Sequence, residues 1–100
     1  MYAATKAAAR NFARSWLQEL SDRGIRVNAV SPGSTETPGL AGLAGDTDVN
    51  QFFAGLAAQS PLGRNIQPEE VAAAVAFLAS DQAAAINGID LPIDGGFAQI

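Results

Sequence analysis

Only two stretches of this chain alternate in the manner of β-strands, Ile25–Val30 and Ile89–Ile93, and helical patterns fill much of the sequence between them. Strands separated by helices pair in parallel through a right-handed crossover. Parallel sheets, however, are normally built from several strands and buried on both faces. Two strands alone would leave edge N–H and C=O groups exposed. Composition sharpens the difficulty, because 21 of the 48 hydrophobic residues in 100 are alanine, which leaves little bulk for a core. A domain of this length is only marginally stable even when well packed. The expectation is an α/β chain that forms part of a larger parallel sheet.

Helical signals frame the strands. Residues 2–23 hold no Gly or Pro, Phe12, Trp16, Leu17 and Leu20 recur at helical spacing, and Gly24 stands at the C-cap position. Ser31-Pro32-Gly33 reads as a turn, and residues 31–46 read as a loop rich in Gly and Pro. A shorter helix is predicted over about Val49 to Gln59, capped by Asp46, Thr47 or Asp48. Pro68-Glu69-Glu70 opens another helix, with Val71, Val75, Phe77 and Leu78 on its buried side and Ser80-Asp81 at its end. Asn87-Gly88 marks a turn, and Pro92 places the last strand at a sheet edge or a strand terminus.

Composition excludes several chemistries. With no Cys there is no disulfide, thiolate nucleophile or Cys-ligated zinc, and with no His there is neither a Ser-His-Asp triad nor the commonest metal ligand. Asp46-Thr47-Asp48-Val49-Asn50 echoes a calcium loop, but Gln51 replaces its Gly and Ala57 its bidentate Glu, so no metal site is expected. No apolar run approaches the ~20 residues of a membrane span, and a cytoplasmic protein with neither membrane nor nucleic-acid partners is expected. The net charge of −4 divides unevenly, +3 over residues 1–26 and −7 beyond them. The basic first helix reads as a solvated or subunit-facing surface and not as a nucleic-acid-binding one.

Tyr2 and Lys6 are the only residues of their types, set at i and i+4 of the first helix. That spacing places both on one face. A phenol ionises near pH ~10 and is a poor acid or base at neutrality, whereas a neighbouring ammonium favours the phenolate and lowers its pKa. Chance alone often produces such a pair.

The pair does not stand alone. Tyr2-Ala3-Ala4-Thr5-Lys6-Ala7-Ala8, Gly24-Ile25-Arg26-Val27-Asn28-Ala29-Val30-Ser31-Pro32-Gly33, Pro61-Leu62-Gly63-Arg64 with Pro68-Glu69-Glu70-Val71-Ala72, Phe77-Leu78-Ala79-Ser80-Asp81, and Asn87-Gly88 through Asp94-Gly95-Gly96 follow one another in order. Together they resemble the short-chain dehydrogenase/reductase family across nearly the whole chain. The resemblance implies the C-terminal part of a doubly wound Rossmann-type parallel sheet, with its N-terminal strands missing. It divides the chain into a catalytic helix (1–24), a strand and cofactor loop (25–38), a substrate loop and helix (39–60) and a last helix and strand (61–100).

The resemblance also implies chemistry. The reaction would be NAD- or NADP-dependent oxidation or reduction of a small alcohol or carbonyl substrate. Tyr2 would be the acid/base, and Lys6 would tune it and bind the nicotinamide ribose. Pro32 and Gly33 would open the cofactor loop, Thr35 would meet the carboxamide, and Thr37 the carboxamide or a phosphate. Leu40, Leu43, Phe52, Phe53 and Leu56 would line a substrate pocket or form plain core. The family's glycine-rich phosphate loop, its cofactor-selecting residue and its catalytic Ser and Asn have no counterpart here. A truncated chain, inactive alone, is therefore expected. The resemblance implies a homo-oligomer. The alternative is a non-catalytic remnant that homo-oligomerises through Phe12, Trp16 and Leu20, a stripe that could instead cover the parent's own sheet.

Overall fold

The computed structural model describes residues 2–99, excepting the side chains of Tyr2, Ala3, Thr5, Lys6 and Gln99. Helix α1 (Tyr2–Leu20) is followed by strand β1 (Ala29–Pro32), helices α2 (Pro38–Ala41), α3 (Val49–Ala58) and α4 (Pro68–Ala79), and strand β2 (Asp90–Ile93). The two strands form a parallel two-stranded sheet, as the helical spacer between them requires. Two compact units emerge, one comprising residues 1–30 with 77–91, the other 31–76 with 92–100.

In the first unit α1 ends as the position of Gly24 predicts. Its last residues tighten into a 3₁₀ turn at Ser21–Arg23, and Gly24 adopts φ 70°. The Gly24 N–H donates to Ser21 O (3.1 Å) and the Ile25 N–H to Leu20 O (3.4 Å). These are the two bonds of a Schellman motif, which supply donors to carbonyls that the helix end would orphan.

The first strand lies later than the alternation at 25–30 suggests. Side-chain bonds dominate residues 26–28 before the ladder begins, beside one main-chain bond from the Gly88 N–H to Val27 O (2.9 Å). Arg26 Nη1 donates to Ile86 O (3.0 Å), Asn28 Nδ2 to the same oxygen (3.0 Å), and the Val27 N–H to Asn87 Oδ1 (3.0 Å). Asn28 Oδ1 in turn accepts from the Ile89 N–H (3.0 Å). Regular pairing starts at Ala29, whose N–H donates to Ile89 O (2.9 Å). Pro32, expected in a turn, belongs to β1.

Its place there follows from the ladder. Odd-numbered residues of both strands face each other, since Ala29 N bonds Ile89 O and Gly33 N bonds Ile93 O. The missing N–H groups of Pro32 and Pro92 therefore point to the outer edges, where a parallel pair needs none.

Burial is sparse. Leu78 and Ala83 are buried in the first unit, Asn65 and Ile66 in the second, and no large side chain among the described residues is fully enclosed. Of the expected buried face of α4 Leu78 is buried and Val71 half-buried, while Val75 and Phe77 are exposed. Phe12 and Trp16 stack on α1, ring centroids 5.8 Å apart, and are 58% and 52% exposed. No described helix is long and apolar enough to cross a membrane.

Candidate active site

The second unit holds the loop that begins at the carboxyl end of β1. Here the chain turns tightly beside β2. The Gly33 N–H donates to Ile93 O (2.9 Å), and a Cβ on Gly33 would sit 2.7 Å from Asp94 Cβ and 2.8 Å from Asp94 Cα. Glycine is thus required by the neighbouring backbone, whatever else approaches it. Asp94 itself is fixed, its Oδ1 accepting from the Gly96 N–H (2.9 Å) and its Oδ2 from the Ala98 N–H (3.1 Å).

Beyond Gly33 the loop is held by a second strip of chain. Thr35 forms an isolated parallel bridge with Ile66. The Ile66 N–H donates to Ser34 O (2.8 Å), and the Glu36 N–H to Ile66 O (3.0 Å). Thr35 Oγ1 donates to Gly33 O (3.0 Å), which leaves its lone pairs available. Thr37 caps α2, its Oγ1 accepting from the Leu40 N–H (3.1 Å), so its hydroxyl proton remains to donate. Gly33, Thr35 and Thr37 therefore lie along one short loop, and Pro32 ends the strand that leads into it.

Two residues of this loop's surroundings carry no sequence signal. Asn65 is 3% exposed, and its Nδ2 donates both to Glu36 Oε2 (3.1 Å) and to Phe53 O (2.8 Å). Its Oδ1 is buried with no partner. No periodicity or motif distinguishes this Asn, or Glu36, from an ordinary surface residue. Only the fold brings them together.

The neighbouring strip is anchored to α4. Arg64 Nη1 and Nη2 grip Glu70 Oε1 (2.7 Å) and Oε2 (2.8 Å). Glu70 Oε1 also accepts from the Gln67 N–H (2.9 Å), the reach-back half of a capping box. The Arg64 bond first, and the Gln67 N–H next, hold the Glu70 carboxyl down at about 2 from its ordinary 4.5.

Tyr2 and Lys6 fall within α1, but their side chains lie outside the described residues. Of the expected substrate residues, Leu40, Phe52, Phe53 and Leu56 are half-buried, and Leu43 is exposed. Asp48, one of three expected caps, is the one that caps α3, accepting from the Gln51 N–H (3.1 Å). A groove of about 230 Å³ lies in the first unit, lined in part by Arg10, Arg14, Leu17, Gln18, Ile89 and Asp90, and includes none of the residues expected to bind cofactor after β1. No cluster of potential metal ligands occurs among the described residues.

Comparison with known proteins agrees along the whole chain. A family profile described as enoyl-(acyl carrier protein) reductase matches residues 1–98. The cis-4-hydroxycyclohexanecarboxylate dehydrogenase of Sinomonas cyclohexanicum is 46% identical over 99 residues, covering 99% of this chain and 38% of that protein. A short chain dehydrogenase family protein from Francisella tularensis superposes with a TM-score of 0.93 at 31% identity, covering 99% of this chain and 43% of the other. The F189W actinorhodin polyketide ketoreductase, solved with NADPH, gives 0.88 at 35% identity over 99% of this chain and 40% of that one. The chain thus spans about two fifths of the length of the curated relatives it matches.

Proposed function

Because this chain belongs to the short-chain dehydrogenase/reductase family of NAD(P)-dependent oxidoreductases, we propose that it supplies the acid/base helix and the nicotinamide-side loop of such an enzyme. The substrate class is a small secondary alcohol or its carbonyl counterpart. The observation that carries this reading is the loop at the end of β1, whose two threonine hydroxyls present complementary valences. Thr35 Oγ1 spends its proton on Gly33 O and keeps lone pairs, while Thr37 Oγ1 accepts from Leu40 N and keeps its proton. A carboxamide, with N–H donors and a carbonyl acceptor, suits that pair, and Thr37 equally suits a phosphate oxygen. Ligands of open α/β sheets bind beyond the carboxyl ends of strands, which is where this loop begins.

When bound, the nicotinamide supplies or accepts the hydride. The chain's own residues handle the proton and the orientation. In reduction Tyr2 gives its phenolic proton to the substrate oxygen, and in oxidation it takes that proton back. Lys6, one helical turn on, favours the phenolate and binds the nicotinamide ribose. Thr35 and Thr37 orient the ring. Leu40, Phe52, Phe53 and Leu56 exclude water from the substrate. A cytoplasmic setting belongs to the same reading.

The residues of this chain do not include a glycine-rich phosphate loop. We therefore assign turnover to the longer protein and none to these 100 residues alone. Calorimetric titration with NADH and NADPH tests the assignment. The full-length enzyme binds one of them, and Lys6→Ala weakens that binding at least tenfold. Binding unaffected by Lys6→Ala would remove Lys6 from the site, and turnover by the 100-residue chain would refute its dependence on the rest.

A second reading is favoured by the exposed stack of Phe12 and Trp16 on α1. On that reading the chain is a non-catalytic remnant that homo-oligomerises through this stripe. Light scattering separates the two, because the remnant reading requires association of the isolated chain that Trp16→Glu abolishes.

A further inference from the structure

Asn65 presents an energetic puzzle. A buried polar atom without a partner is destabilising, and Asn65 Oδ1 is such an atom. The amide cannot recover this by rotating, since its Nδ2 donates to two oxygens, Glu36 Oε2 and Phe53 O. Turning the amide over would set a lone pair against each of them. An apolar residue of the same size would fill the space without the orphaned atom. What it could not do is hold those two oxygens together.

The two oxygens belong to different parts of the proposed site. Glu36 lies between Thr35 and Thr37 in the nicotinamide-side loop. Phe53 O belongs to α3, the helix assigned to the substrate side. Beside Asn65, Ile66 clamps the same loop through Ser34 O and the Glu36 N–H. Arg64 fastens the strip to the start of α4 through Glu70. The strip is thus fixed at one end, and Asn65 is the group that reaches from it to both the loop and α3.

We propose that Asn65 is a positioning residue that ties the substrate helix α3 to the nicotinamide-side loop, so that the placement of Thr35 and Thr37 depends on the Asn65–Glu36 bond. This inference rests on the function proposed above. It assigns Asn65 no contact with either ligand.

The test uses the full-length enzyme and measures dissociation constants for NADH and NADPH by fluorescence titration. Asn65→Asp removes the donors and sets a carboxylate against Glu36. It weakens cofactor binding by roughly 2- to 10-fold, the equilibrium factor of one hydrogen bond's net worth. Glu36→Gln combined with Asn65→Asp reverses the donor and acceptor, restores the bond, and returns at least half of the loss on a logarithmic scale. A role confined to packing would not give this recovery. Asn65→Leu, which keeps the volume and removes the orphaned oxygen, stays folded and still binds the cofactor more weakly.

Unchanged affinity in Asn65→Leu, or a double variant no better than Asn65→Asp alone, overturns the proposal. If the unaltered enzyme binds neither NADH nor NADPH, the proposed function falls and this inference falls with it. Binding by the unaltered enzyme with no effect of the Asn65 variants overturns the inference alone.

Discussion

Gly33→Ala is the sharpest single perturbation the structure offers. Gly33 is not among the glycines with positive φ, so backbone strain does not protect it from substitution. The objection to a side chain is steric. A Cβ there meets Asp94 Cβ at 2.7 Å and Asp94 Cα at 2.8 Å, where no flexible side-chain end can yield. Relief requires the end of β1 to move away from the residue after β2, which also stretches the bond from Gly33 N to Ile93 O. Overpacking of this kind costs about 1–3 kcal/mol, and the bond adds about 0.5–1.5. The expected loss is about 2–4 kcal/mol, a large part of the ~5–15 kcal/mol that holds a small domain folded. Urea unfolding with an unchanged slope reads it directly as a lower midpoint. Gly55→Ala is the control, because that glycine lies inside α3 with nothing within 4 Å of a Cβ. It should stabilise by about 0.5–1 kcal/mol. A Gly33→Ala protein that unfolds at the unaltered midpoint would refute the close approach, and with it the view that Asp94 demands this glycine.

Other outcomes follow from bonds already described. Glu70 has a folded pKa of about 2, depressed from 4.5, so its contribution to stability is fully present above pH 4.5 and lost as pH falls through 2. The urea midpoint of Glu70→Gln should therefore lie below that of the unaltered protein at pH 7, and the gap should close between those pH values. Asn28→Ala removes the acceptor of the Ile89 N–H and a donor to Ile86 O. It should cost about 1–3 kcal/mol and speed exchange of the Ile89 amide hydrogen.

The helices were legible because their signals are local. Gly24 reports the end of α1 through a backbone conformation that other residues resist. Pro68-Glu69-Glu70 reports the start of α4 by the same kind of chemistry, a missing donor and a reach-back carboxylate. The first strand was displaced because alternation records side-chain polarity and not its partners. Arg26 and Asn28 look like solvent-facing strand residues, yet both bond main-chain groups at 86–89, where a ladder would otherwise run.

Val75 and Phe77 were misplaced for a different reason. Periodicity shows which face of a helix is apolar, not whether anything in the chain covers it. For the proposed site, Pro32, Gly33, Thr35 and Thr37 could be named because the family resemblance runs through one contiguous stretch. Asn65 could not, because its significance lies in Glu36 and Phe53, 29 and 12 residues away.

The two strand prolines have a consequence for anything that extends this sheet. With odd-numbered residues committed to the partner strand, the outward main-chain positions are even-numbered. In β1 those are Val30 and Pro32, in β2 Asp90 and Pro92. The last outward position of each strand therefore keeps a carbonyl acceptor but has no N–H donor. A strand added at either edge loses one ladder bond there, at the end where the Gly33–Thr37 loop begins. That missing donor makes either edge a poorer template for indefinite stacking.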